Sequence, residues 1–168
     1  AVGDNDQAFQ VLASYPEQLS LKRFPFATET LSSTLATTGP TNSPAKGQTA
    51  SSSSGTHGYA TQNGGNISKF PFASVTPIST VGGLASAIAY GASQHTGPSA
   101  GYTAGGIAPS FNNTVTFLQK YPHASDTNAS DIGELHDETR TKSRSGASST
   151  THGYSMGGAT TNESTTAS

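Results

Sequence analysis

Two short strings recur in alternation along this chain, and together they leave few folds open. "KRFPFAT" at 22–28, "SKFPFAS" at 68–74 and "QKYPHAS" at 119–125 are three versions of one segment, with first aromatics Phe24, Phe70 and Tyr121 spaced 46 and 51 residues apart. "THGYATQNGG" at 56–65, "SAGYTAGG" at 99–106 and "THGYSMGG" at 151–158 form the second series, with Tyr59, Tyr102 and Tyr154 spaced 43 and 52 apart. Two independent markers sharing a period of about 50 residues identify an internal repeat. Segments 69–84 and 120–135 align over 16 residues without a gap, matching Lys, aromatic, Pro, Ala-Ser, an aliphatic (Val81 or Ile132), Gly82 or Gly133, and Leu84 or Leu135.

Each unit reads as four short strands. A Ser/Thr-rich strand and a turn lead to a strand beginning at the Gly-Tyr tyrosine. The double glycine ends that strand, because a sharp reversal or a close neighbour there tolerates no Cβ. A variable loop follows, then a strand such as "NISKFPFA" that alternates outward Lys or Ser with inward Ile and Phe. "VGGL" or "IGEL" makes a short fourth strand, and the proline of "FPFA" predicts incomplete pairing or a bulge. Tyr59, Gly64, Gly65, Tyr102, Gly105, Gly106, Tyr154, Gly157 and Gly158 are thereby structural repeat positions. Counted from the aromatic strand, the repeats run 20–65, 66–106 and 107–158 within one domain over 1–168, with terminal segments 1–19 and 159–168. Three units result if the N-terminal strands complete the unit opened at the C-terminus.

Composition agrees with an all-β fold. The 25 serines and 24 threonines accompany only 32% apolar and 11% charged residues, which suits short, closely packed strands and tight turns. No stretch sustains an apolar 3.6-residue period over three turns, so long helices are not expected. The start, "AVGDNDQAFQ", carries no Met and no secretory apolar core, and reads as a processed chain or a piece of a longer one.

Tyr-x-x-Gly-Gly, a variable loop, an aromatic strand and a period of about 50 residues resemble the kelch-type repeat, in which each repeat forms one four-stranded β-propeller blade. The fuller strings, "THGYxxGG" with "KFPFAS" and "DTNASDIGEL", are similar to kelch-like repeats in structural proteins of tailed bacteriophages, particularly those of marine cyanobacteria. The resemblance covers roughly residues 20–158. No Trp marks the fourth strand, the first repeat is degenerate, and "GPSAGY" replaces "STTHGY" in the middle unit. Propellers usually carry four to eight blades, so three repeats imply part of a larger propeller or a ring completed by several chains. The alternative is another threefold all-β form, a β-trefoil or β-prism.

The chemistry expected is non-enzymatic. Without Cys there is no disulfide, no thiolate and no Cys-linked Tyr of the kind that kelch-propeller copper oxidases use. Without Trp or "SxDxGxTW" turns, the chain lacks the pattern of propeller sialidases. All ten acids lie within 4–29 or 126–163, so the facing carboxylates of a glycosidase would have to come from the chain ends. No Gly-x-Ser-x-Gly elbow is present. A net charge of −2 gives no electrostatic footprint for nucleic acid, and no apolar run is long enough for a membrane helix.

Three further patterns carry expectations. His57 and His152 hold equivalent places beside Gly-Tyr and read as hydrogen-bonding a neighbouring unit, while His123 stands where Phe26 and Phe72 stand in the other copies. Asp126, Asn128, Ser130, Glu134 and Asp137 fall at positions 1, 3, 5, 9 and 12 of a calcium-binding loop, although Asp131 replaces the glycine wanted at position 6. A solvated turn is the simpler reading, so no metal or other cofactor is expected and calcium is the one candidate. "NIS", "NNT", "NAS" and "NES", at Asn66, Asn112, Asn128 and Asn162, match the N-glycan acceptor pattern.

The resemblance implies a virion structural protein: a tail-fibre, spike or appendage component acting in assembly or host attachment. Its partners would be other subunits, copies of itself, and a host-surface glycan or protein. Tyr102, Phe111, Asn112 and Asn113, on the longest loop after a double glycine, are the candidate contacts. The alternative is a non-viral extracellular adhesin, surface-layer or filament subunit, glycosylated at its sequons, or more remotely a lectin module.

Overall fold

Strands whose neighbours in sequence are their neighbours in space need only short turns, and this chain uses that solution repeatedly. The computed structural model describes residues 2–3, 7–14, 18–28, 30, 34–37, 50–61, 65–74, 78–88, 92–108, 114–136 and 145–156, and among these every regular element is a β-strand. The first antiparallel sheet is β1 (Val2–Gly3), β2 (Gln7–Ser14), β3 (Gln18–Pro25) and β4 (Thr34–Thr37), in that order. The second is β5 (Ala50–Ser53), β6 (His57–Thr61), β7 (Asn66–Pro71) and β8 (Ser79–Gly83). The third is β9 (Ser93–Thr96), β10 (Ala100–Ile107), β11 (Thr114–Pro122) and β12 (Ser130–Glu134), and β13 (Ser145–Ser148) with β14 (Gly153–Met156) forms a two-stranded fourth. Repeats counted as 20–65, 66–106 and 107–158 therefore each take the last two strands of one sheet and the first two of the next.

The two sequence markers face each other across the ladder. Gly58 and Tyr59 of β6 pair with Phe70 and Lys69 of β7, and Gly101 and Tyr102 of β10 pair with Tyr121 and Lys120 of β11. Ala8 and Phe9 of β2 pair with Phe24 and Arg23 of β3 in the same way, so "AF" is the first copy of Gly-Tyr. Residues 1–19 accordingly hold β1, β2 and the start of β3. The N-terminal strands complete their own sheet rather than the C-terminal one, which corrects that expectation. Nothing in the spacing revealed it, because "QAF" retains neither the Gly nor the Tyr.

Proline ends the third strand each time, at Pro25, Pro71 and Pro122, where a missing N–H costs no ladder bond. The bulge falls three residues before the first aromatic in every four-stranded sheet, at Leu21/Lys22, Ile67/Ser68 and Leu118/Gln119. The double glycine behaves differently from expectation. In β10 the strand runs on through Gly105 and Gly106 to Ile107, with a bulge between Ala104 and Gly106. Both glycines there have positive φ, +63° and +121°, which an L side chain rarely adopts. Gly65 has φ +89° but lies beyond the end of β6. Gly64, Gly157 and Gly158 lie outside the described residues.

The sheets meet one another through their first strands: β5 lies beside β1 and β9, and β9 beside β13. β13 sits so close to β9 that a Cβ on Gly146 would collide with the Gln94 backbone. The apolar core is divided accordingly between the joints. Phe9 and Leu21 of the first sheet pack with Phe70 and Phe72 of the second. Tyr59 and Ile67 of the second, backed by Val81 and Leu84, pack with Tyr121 and Ala129 of the third.

Candidate functional site

The joint between the second and third sheets shows what a complete joint contains. Tyr121, fully buried, shares a 2.6 Å hydrogen bond between its hydroxyl and Ser52 Oγ, and Gln94 Nε2 donates to the same hydroxyl. Burial pushes the Tyr121 phenol well above its ordinary pKa, against the pull of these two partners. Tyr59 donates its hydroxyl to the His123 carbonyl at 3.0 Å, and its ring stacks on the His123 imidazole at 4.8 Å and 21°. Both His123 ring nitrogens are buried without a hydrogen-bond partner among the described residues. Burial, with Lys69 nearby, holds His123 below the usual histidine pKa.

The same joint is latched at its rim. Lys69 pairs with Asp126 at 2.9 Å, Asn128 Oδ1 accepts the Gly83 N–H at 3.0 Å, and Ala129 N–H donates to the Gly83 carbonyl at 2.8 Å. Gly82 makes room for this strap, since a Cβ there would come within 2.6 Å of the Thr127 oxygen. Buried Gln119 clamps the connection between the two sheets, accepting from Ser86 N–H at 2.8 Å and donating to Ser86 O at 2.9 Å.

One inter-sheet bond is repeated at successive joints. Ser53 N–H donates to Thr96 Oγ1 at 3.1 Å, and Thr96 N–H donates to Ser148 Oγ at 2.8 Å. Ser53, Thr96 and Ser148 hold the same register position in β5, β9 and β13. The turns that follow these strands therefore gather at one end. There Ser53, Ser54, Thr96, Ser148, Ser149 and Thr150 line an open groove of about 560 Å³.

The third joint differs. His95 Nδ1 lies 3.1 Å from the Ala147 carbonyl, which requires a proton on that nitrogen and leaves Nε2 to accept. Ser93 Oγ and Ser155 Oγ each lie 3.1 Å from Nε2 and 2.5 Å from each other. Beyond them a cleft of about 380 Å³ opens, lined by Tyr102, Leu118, Ile132, Leu135, His152 and Gly153 among others. Tyr102, Leu118, Ile132 and Leu135 correspond to Tyr59, Ile67, Val81 and Leu84, which are packed at the second joint. Here Ile132 is 47% exposed.

The sequence candidates are distributed as follows. Tyr102 lines the cleft, with Lys120 Nζ 5.9 Å from its ring centroid; Phe111, Asn112 and Asn113 lie outside the described residues. Of the calcium-loop set, Asp126 is paired with Lys69 and Asn128 is bonded to Gly83. Ser130 and Glu134 belong to the extended strand β12, with Glu134 Oε2 accepting from Thr116 at 2.9 Å. Asp137 lies outside the described residues. Among those described, no three His, Asp or Glu side chains converge on a point where a metal ion would sit. His57 and His152 bond within their own turns, each with Nδ1 2.8 Å from the preceding threonine hydroxyl, at Thr56 and Thr151. Where the sequence suggested a bond to a neighbouring unit, the hydroxyl of the same turn takes the Nδ1 contact instead.

Sequence reasoning passed over Ser52, Gln94, His95 and Gln119, all buried polar residues of the joints. A polar residue inside a Ser/Thr-rich strand gives no sign that it faces another sheet. No protein-family model matches this chain, and a search of curated proteins finds no match.

Proposed function

We propose that this protein is a non-enzymatic structural component of a virion, a tail-fibre, spike or appendage subunit of a tailed bacteriophage that serves assembly or host attachment. On this reading the sheets are kelch-like blades of a partial β-propeller that other subunits or further copies complete. The observation that carries it is the repeated bond from Ser53 through Thr96 to Ser148. One joint geometry recurs from sheet to sheet, as in an array that stacks rigid units side by side. The kelch-like resemblance of the Gly-Tyr and Lys-aromatic-Pro strings supplies the viral part of the proposal.

The open groove lined by serines and threonines gives attachment a surface to use. Neutral serine and threonine hydroxyls both donate and accept, which suits sugar hydroxyls or a polar protein surface. Labelled antibody against the chain, applied to its native source and viewed by electron microscopy, tests the reading. Label on tailed, DNA-filled particles is the expected result. Label on bare filaments or cell envelopes would reject it in favour of an extracellular adhesin or surface-layer subunit.

A further inference from the structure

The hydrogen bonds around His95 at the third joint leave one hydroxyl proton facing a ring nitrogen. His95 is 6% exposed and Ser93 1%, whereas Ser155 is exposed and lines the cleft. His95 spends its Nδ1 proton on the Ala147 carbonyl at 3.1 Å, so Nε2 offers a lone pair. Ser93 spends its proton on the Ala104 carbonyl at 3.2 Å, so its oxygen also accepts. The proton that remains is that of Ser155, whose Oγ lies 3.1 Å from Nε2 and 2.5 Å from Ser93 Oγ. Ser155 therefore donates inward, toward a base, while the residue itself stands in the wall of the cleft.

Tying two sheets together does not call for this arrangement. At the second joint Ser52, Tyr121 and Gln94 do it without an imidazole. Ser52 holds the register position of His95, and Ala60 and Thr103 hold that of Ser155. Among these sheets the pairing of an imidazole with a serine is particular to the third joint. Gly153, two residues before Ser155 on β14, lets the strand approach the ring, since a Cβ there would lie 2.9 Å from the imidazole Cγ. A hydroxyl, an imidazole nitrogen that accepts from it, and a carbonyl that holds the other nitrogen are the nucleophile, base and orienting group that activate a serine.

We propose that Ser155 is an activated nucleophile that takes an acyl group from a reactive ester entering the cleft. The Oγ–H proton passes to His95 Nε2 as Oγ attacks the ester carbonyl carbon and forms a bond to it. The bond from that carbon to the leaving oxygen then breaks, and the leaving alcohol carries off the proton from Nε2. Ser155 ends as an ester, the alcohol is released, and nothing is oxidised or reduced. Tyr102, Leu118, Ile132 and Leu135 line the same cleft, which suits an apolar acyl chain. One acylation consumes the site, so Ser155 becomes a covalent attachment point on a structural protein. The inference goes beyond the viral reading and does not depend on it.

The test incubates the full-length chain with p-nitrophenyl butyrate, follows p-nitrophenolate release, and locates the acylated residue by peptide mass mapping. One equivalent released and a butyryl group on Ser155 are expected. Ser155→Ala removes that adduct. His95→Gln, whose side chain cannot take the proton, slows its formation about 100-fold to 10,000-fold. If that variant loses the fourth sheet, the unmodified chain in urea serves instead, because unfolding separates Ser155 from His95 and slows acylation of Ser155 alike. No butyryl group on Ser155 at about 1 mM ester, butyrylation spread evenly over the other serines, or an undiminished rate at Ser155 in folded His95→Gln or in urea would each overturn the proposal. Release that continues beyond one equivalent and stops in Ser155→Ala would overturn the single acylation and, with it, the non-enzymatic reading.

Discussion

The Tyr121 ring lies across the ladder over Gly101, so close that a Cβ on Gly101 would fall inside the ring's van der Waals envelope, while Ser52 Oγ closes the same space at 2.5 Å. Phe70 stands over Gly58 in the same relation. This pairing explains the glycine at Gly58 and Gly101, where it is a seat for a ring; the first sheet places Ala8 opposite Phe24 instead. Replacing glycine by alanine ordinarily stabilises a strand by about 0.4–1 kcal/mol through the unfolded chain. Here overpacking outweighs that gain. Gly101→Ala and Gly58→Ala should each lower stability by about 1–3 kcal/mol. Gly55→Ala, with nothing within 4 Å of its Cβ, should stay within about 0.5 kcal/mol of the unmodified chain. Urea denaturation of the three variants checks the contrast.

Tyr121→Phe removes the hydroxyl that Ser52 and Gln94 share. Ser52 Oγ then loses that partner and Gln94 Nε2 keeps the longer bond to Thr103 Oγ1 at 3.4 Å, at a cost of about 1–3 kcal/mol. Ser52→Ala should cost only about 0.5–1.5 kcal/mol, since Gln94 still satisfies the phenol. Ultraviolet titration adds a second readout. Raised by burial, this phenol should ionise only well above the ordinary tyrosine range. A Tyr121 that titrates within that range would show the joint to be wet.

His123 makes stability depend on pH in a stated direction. Its folded pKa lies below the ordinary 6.5, through burial first and Lys69 second. Above pH 6.5 neither folded nor unfolded chain holds the proton. Below it the unfolded chain binds a proton that the buried imidazole refuses, so stability falls as pH falls toward the folded pKa. His123→Phe restores the residue found at Phe26 and Phe72 and removes two buried nitrogens without partners. The variant should gain on the unmodified chain as pH falls below 6.5. A constant difference across that range in denaturation experiments would contradict the assignment.

The strap from Asp126 to Ala129 should tolerate loss of its ion pair better than loss of its amide. Asp126 and Lys69 side chains are 53% and 20% exposed, so Asp126→Asn should cost less than about 1 kcal/mol, and less still at high salt. Asn128→Ala strips the acceptor from Gly83 N–H and should cost about 0.5–1.5 kcal/mol. With Asp126 held by Lys69 and Ser130–Glu134 extended in β12, about 5 mM calcium should leave the melting temperature unchanged. A rise in differential scanning fluorimetry would restore the calcium loop.

What the sequence determined by itself was the repeat and its strand order. Gly-Tyr and Lys-aromatic-Pro are legible because ladder pairing is local: a ring over a glycine, and a Lys over a tyrosine one residue along, constrain residues only 10 to 20 apart within a sheet. What the tertiary structure decided was how the sheets meet. Ser52 finds Tyr121 69 residues away, Tyr59 finds His123 64 away, and Ser93 finds Ser155 62 away. Such contacts depend on which face of a strand turns toward the next sheet. In strands of Ser, Thr, Gln and His both faces are polar, so alternation carries no signal of direction. The first copy was hidden for a related reason: Ala8 and Phe9 keep the packing of Gly and Tyr without keeping the letters.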